Sequence, residues 1–219
     1  MRVVIAGGHG KIAQLLHREL AGRGDTAVGL IRDPGHAAAL RATGAHPVVC
    51  DLEHADAAQV AAHLDGADAV VFAAGAGPGS GAARKDTVDR AAAGLLADAA
   101  EQSGVRRYLL VSSMGVDTDP PAGTDDVFAA YLRAKKAAED DLTGRDLDWT
   151  VLRPGRLTDD PPTGRITLTR HAGPGAVTRA DVARVLVALL YHPGSAGTVL
   201  ELVAGNTPIA DAVAKAVRP

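Results

Sequence analysis

The chain has 219 residues, a net charge of −3 with both signs interspersed, and a single cysteine, Cys50. That length holds one α/β domain with a sizeable core, the charge balance argues against nucleic acid as a partner, and one cysteine excludes an internal disulfide framework. Apolar stretches such as 182–191, interrupted by Arg184, are too short to cross a bilayer, so no membrane partner is expected. The first strand begins at once and leaves no room for a leader, so a soluble cytoplasmic protein is the expectation.

From the amino terminus, β-like and α-like segments alternate, as a doubly wound parallel sheet requires. Residues 2–6 form a β-branched, apolar strand, and 11–23 a helix with Ile12, Leu15, Leu16 and Leu20 on one stripe. Strand 26–31, a short helix at 35–42, strand 46–50 and a helix at 55–64 follow. Then come strand 69–73, a glycine-rich loop at 74–81 and a long helix at 83–103. Strand 108–112, a polar loop at 115–125, a helix at 127–143 and strand 149–152 complete six repeats of the pattern. Beyond Gly155 the alternation breaks, and about 156–177 is read as a small substrate-side insert with a β-like piece at 165–168. Thr178 and Asp181 then make a capping-box-like start to a helix ending near 191, followed by strand 198–203 and a helix at 208–217. The prediction is one domain over 1–219, with parallel strand order 3-2-1-4-5-6-7.

The chemistry-bearing residues sit where strands end. Gly7, Gly8 and Gly10 turn the first strand into the first helix. Free N–H groups at a helix start, together with the helix dipole, favour an anion there, and glycine lets a pyrophosphate approach. The spacing is Gly7-x-x-Gly10-x-x-Ala13. His9, inside the turn, points to solvent or to a cofactor. Lys11 adds charge near the phosphates or is simply exposed, and Ile12 follows it. Arg32 follows the second strand, where an acid would bind the ribose 2′-hydroxyl of NAD; a guanidinium suits a 2′-phosphate. This favours NADP(H) over NAD(H); the alternative is a solvated arginine paired with Asp33. Asp51 and Leu52 end the third strand, with Asp51 also placed to cap the next helix. Ala73, Ala74 and Gly75 keep the end of the fourth strand small. Tyr131 and Lys135, four apart, share a helix face. Ser112 and Ser113 end the fifth strand, and Arg153, Pro154 and Gly155 the sixth, at the edge where ligands of such sheets bind. The eight histidines show no metal-ligand spacing, so no metal is expected.

With the segments VIAGGHGKIA, LIRDP, CDLE, FAAGAG, YLLVSSMG, YLRAK and VLRPGRL in that order, the sequence resembles the atypical short-chain dehydrogenases/reductases. More narrowly, it resembles the compact NAD(P)-binding, NmrA-like group that includes flavin/biliverdin-type reductases. The resemblance implies a Rossmann-type fold and an NADP(H)-dependent oxidoreductase acting on a small-molecule carbonyl, quinone or flavin. It puts Gly7, Gly8, His9, Gly10, Lys11 and Ile12 at the pyrophosphate, Arg32 at the 2′-phosphate, and Asp51 and Leu52 at the adenine. Ala73, Ala74, Gly75, Ser112, Lys135, Pro154 and Gly155 fall along the rest of the cofactor. Tyr131 becomes the acid/base, Lys135 the ribose-holding cation, and Ser113 the third catalytic member. Met114 departs from the pattern, falling near the register expected for that serine. Two alternatives follow: a non-catalytic NADP(H)-binding redox sensor, or a sugar-nucleotide epimerase/dehydratase, which would need a larger lobe. A homodimer is left open, since the fold often dimerises and no apolar stripe marks a dimer face.

Overall fold

The computed structural model describes residues 1–77, 79–118 and 123–217. Part of the predicted polar loop, 119–122, and Pro78 of the glycine-rich loop lie outside the described residues.

The chain runs β1 (Arg2–Ala6), α1 (Lys11–Gly22), β2 (Thr26–Ile31), a 3₁₀ turn (Pro34–His36), α2 (Ala37–Arg41), β3 (His46–Val49), α3 (Ala57–Ala61) and β4 (Ala69–Phe72). It continues through α4 (Ala82–Arg84), a π-helical stretch (Lys85–Ala91), α5 (Ala92–Ser103), β5 (Arg107–Val111), α6 (Asp126–Thr143) and β6 (Asp148–Pro154). The last part holds β7 (Arg156–Thr158), β8 (Arg165–Thr169), β9 (Ala176–Thr178), α7 (Arg179–Leu190), β10 (Thr198–Ala204), β11 (Thr207–Pro208) and α8 (Ile209–Ala216).

Among the described residues the main sheet is ordered β11-β8-β10-β6-β5-β4-β1-β2-β3. From β3 to β10 every pairing is parallel, which is the predicted order with β10 as its seventh strand. The inner parallel strands β1, β2, β4, β5 and β6 are largely buried on both faces, while the edge strand β3 is partly exposed, and alternate residues serve opposite layers. Val3 and Ile5 pack with Leu16 and Leu20 of α1 and Leu186 of α7. Val4 and Ala6 pack with Leu96 of α5 and Leu142 of α6. Each such aliphatic side chain stabilises the fold by about 1.5–3 kcal/mol when fully buried.

Four elements differ from the sequence reading. The helix expected at 55–64 is only Ala57–Ala61: Asp56 and Gln59 close a capping box at its start, and its tail tightens into turns in which His63 and Leu64 bond three residues back. The long helix expected at 83–103 carries the π-helical stretch near its start. The β-like piece of the insert is β8, an antiparallel strand of the main sheet between β10 and the two-residue β11, with Ile166 and Leu168 buried between exposed Arg165 and Thr169. The rest of the insert frames the separate parallel pair β7–β9. Thr178 caps α7 as predicted, its hydroxyl accepting from the Asp181 N–H at 3.0 Å. The Asp181 side chain accepts from the Thr178 hydroxyl at 3.0 Å and from the N–H groups of Thr163 and Gly164, both at 2.9 Å, pinning the insert.

Candidate functional site

A cleft of about 290 Å³ opens at the carboxyl ends of β1, β2, β3 and β4. It lies at the point where the chain order of the sheet reverses, the place where such folds take ligands. Its lining includes Gly7, Gly8, His9, Gly10, Arg32, Asp51, Leu52, Ala73, Ala74 and Gly75, ten of the residues chosen from the sequence, and also His36, Glu53 and Arg84.

The glycine turn is built tightly. Gly7 has φ +75°, and a methyl there would lie 2.5 Å from the Ala74 Cα across the cleft floor. Gly10 caps α1 with no side-chain bond, and no acid occupies the first turn. Helix geometry leaves the N–H groups of that first turn without intrahelical partners, so they are available to an anion. Behind the turn, the fully buried His17 meets the Gly8 carbonyl through Nε2 at 3.0 Å. Burial holds its pKa down at about 4, outweighing the backbone bond to Gly8, which acts to raise it.

The other side of the cleft is polar. Arg32 donates to Glu53 Oε2 at 3.0 Å and Arg84 to the same oxygen at 2.6 Å, while the Thr87 hydroxyl donates to Oε1 at 2.8 Å. Chiefly through the Arg84 bond, these partners hold the Glu53 carboxyl down at about 2. His9 and His36 stack face to face, centroids 3.5 Å apart, and burial followed by the neighbouring imidazole lowers the His9 pKa. Asp51 organises its own turn, accepting from the Glu53 N–H at 3.0 Å and meeting His54 Nδ1 at 3.0 Å.

The remaining sequence-chosen residues stand outside the cleft lining. Lys11 points to Asp159 at 2.6 Å, away from the turn. Ile12 packs against the core under α1. Lys135 is buried: its ammonium donates to the carbonyls of Val111 at 3.1 Å and Ala74 at 3.4 Å. It also lies 3.3 Å from Asp89 Oδ1, an ion pair between two buried groups. Asp89 in turn accepts from the Ala76 N–H at 3.1 Å, so the pair ties the cleft loop to α6. Tyr131 is half-buried, 5.9 Å from the exposed Phe128 ring, with the Lys85 and Lys135 ammonium groups 5.6 and 5.9 Å from its own centroid. Ser113 donates to the neighbouring Met114 carbonyl at 3.1 Å, and the Ser112 hydroxyl is buried without a partner. Among the described residues no hydrogen bond joins Ser112, Ser113, Tyr131 and Lys135. Pro154 accepts from the Met114 N–H. Gly155 is required by packing, since a methyl would lie 2.4 Å from the Gly175 carbonyl oxygen. Arg153 is buried against Glu139, with Nε donating at 2.9 Å, and also holds Asp117 of the β5–α6 loop, Nη2 donating at 2.9 Å.

Sequence reasoning missed Arg84, Glu53, His36 and Asp89. Glu53 stands in the CDLE segment and carried a signal; Arg84 and Asp89 looked like ordinary positions in a long helix. Among the described residues no cluster of three or more His, Cys, Asp or Glu is arranged to hold a metal, and no helix is long and apolar enough to cross a membrane. The glycine cradle, the uncapped helix start and the paired guanidiniums fit a phosphate-bearing dinucleotide.

Comparison with known proteins agrees. The family model described as NAD(P)H-binding matches residues 7–193. A Bacillus subtilis protein described as an uncharacterized sugar epimerase is 30% identical over 216 residues, spanning 98% of this chain and 100% of its own. A Bacillus halodurans structure assigned as an NAD-dependent epimerase/dehydratase superposes with a TM-score of 0.91 at 35% identity, covering 98% of this chain and 99% of that one. An anaerobilin reductase from Escherichia coli O157:H7 superposes with a TM-score of 0.79 at 26% identity, covering 93% and 97%.

Proposed function

The chain belongs to the NAD(P)H-binding family, and from that premise we propose that it is an NADP(H)-dependent oxidoreductase for a small carbonyl, quinone or flavin-type substrate. Arg32 carries the cofactor choice: it directly follows β2 and lines the same cleft as the glycine turn, at the position where an NAD site places an acid. The reductase among its structural neighbours supports the reaction class. When bound, the nicotinamide supplies or takes up hydride. The glycine turn and the start of α1 hold the pyrophosphate, and Asp51 with Leu52 meets the adenine. Lys135 acts by position, because its ammonium is already engaged by the ends of two strands and Asp89. Tyr131 is the residue assigned to move a proton at the substrate; an acceptor protonated by solvent needs no serine partner.

Calorimetric titration of the nucleotide-free protein with NADPH and NADH tests this. Arg32→Ala is expected to weaken NADPH by about 1.5–3 kcal/mol, roughly ten- to over a hundredfold, and to spare NADH. Equal NADPH affinity in the variant defeats the assignment. A sugar-nucleotide epimerase is the second reading, favoured by how two relatives are described. Binding of a nucleotide sugar, with cofactor neither consumed nor formed, would select it. Cofactor binding without turnover on any acceptor would leave the redox-sensor reading.

A further inference from the structure

We propose that Glu53 is a specificity-determining residue at the adenosine end of the cleft. In this reading it is the internal occupant of an anion site made by two arginines, Arg32 and Arg84, and it sets the balance between nucleotides with a 2′-phosphate and those with a free 2′-hydroxyl. The inference rests on the NADP(H) reading above and goes further by giving Arg84 and Glu53 their parts.

Three elements converge here. Arg32 follows β2, Glu53 lies in the turn after β3, and Arg84 ends α4, the short helix after β4. Both guanidiniums donate to the same Glu53 oxygen, at 3.0 and 2.6 Å. Two cations drawn onto one oxygen repel each other unless an anion stands between them. The geometry therefore describes an anion site whose present anion is the protein's own carboxylate. All three residues line the cleft that holds the glycine turn. The arms are also free to be redirected: the Arg32 side chain is 56% exposed and that of Arg84 40%.

A phosphate monoester offers three acceptor oxygens and more negative charge than a carboxylate, and guanidinium forks match it well. Bound beside Arg32, a 2′-phosphate competes with Glu53 for both arginines and then has the displaced carboxylate as a like-charged neighbour. A nucleotide with a free 2′-hydroxyl makes no such demand: Glu53 keeps its arginines and can accept from the hydroxyl. Glu53 thus opposes the preference that Arg32 and Arg84 create, which leaves both nucleotides usable.

The test is calorimetric titration of the full chain with NADPH and NADH at fixed ionic strength, in wild type, Glu53→Gln, Arg84→Ala and Arg32→Ala. Glu53→Gln should tighten NADPH by about tenfold and leave NADH unchanged or weaker. Arg84→Ala should weaken NADPH by about tenfold or more and spare NADH. Retained NADH binding reports that each variant is folded. If Glu53→Gln weakens NADPH, the carboxylate positions the arginines rather than competing with the phosphate, and the inference is overturned. If Arg32→Ala alone loses the NADPH preference while the other two variants match wild type, the NADP(H) reading stands and this inference falls. If wild type binds neither nucleotide, both fall.

Discussion

Lys135→Met would remove the cation from a pair in which both side chains are almost fully buried, at 4% and 0% exposure. Asp89 would keep the Ala76 N–H as its hydrogen-bond donor, while its Oδ1, which has no aligned donor even now, would lose the ammonium 3.3 Å away. Breaking a buried pair from one side costs about 3–5 kcal/mol, because an uncompensated charge remains. In a chain of this length about 1 kcal/mol moves the melting temperature by about 2–4 °C, so a fall of roughly 6–20 °C is expected. The double variant Asp89→Asn/Lys135→Met removes the stranded charge and keeps an acceptor for Ala76. It should therefore be more stable than Lys135→Met alone, with a coupling energy of about 1–3 kcal/mol. Urea unfolding of the four proteins of this cycle at pH 7 measures the coupling directly. A loss below about 1 kcal/mol for Lys135→Met, or costs that simply add, would refute the reasoning that this pair braces the cleft loop against α6.

Two further perturbations test other parts of the site. His17 is buried neutral, its pKa held at about 4 against 6.5 when free. Between those values the unfolded chain binds more protons, so stability rises with pH. About 3 kcal/mol should be lost as pH falls from above 6.5 to below 4, a slope that His17→Gln lacks. Identical pH slopes in urea midpoints of the two proteins would remove this account. Gly7→Ala places a methyl 2.5 Å from the Ala74 Cα at φ +75°. The left-handed backbone alone costs about 1–2 kcal/mol, and the cleft floor must also shift, so both melting temperature and nucleotide affinity should drop. Unchanged nucleotide titrations would show that this turn does not shape the site.

Much of the framework was legible because its causes are local. A β-branched run at 2–6 reads as a strand buried on both faces, and Val3 to Ala6 are all fully buried. Gly7, at φ +75°, and Gly10, at the helix start, announce a tight turn from strand into helix, and the alternation of periods two and 3.6 orders the parallel strands. The strand β8 was visible in part as a β-like piece at 165–168: Ile166 and Leu168 alternate with polar neighbours, the one-faced pattern of an antiparallel strand. Nothing local says which strand it joins.

The sequence by itself determined a doubly wound domain with a glycine turn leading from its first strand into its first helix, since such signals are written in residues within one helical turn or one strand of each other. Only the tertiary structure decided what the charged residues do. Arg84 meets Glu53 across 31 positions, and Lys135 meets Asp89 across 46. Those meetings depend on which strand ends lie side by side and on the π-helical stretch that carries Asp89 inward. The Y-x-x-x-K spacing correctly puts Tyr131 and Lys135 on one helix and says nothing of the two carbonyls and the carboxylate that engage the lysine. A buried charge takes its place from whatever partner desolvation forces on it, and that partner is supplied by the fold rather than by the neighbouring sequence.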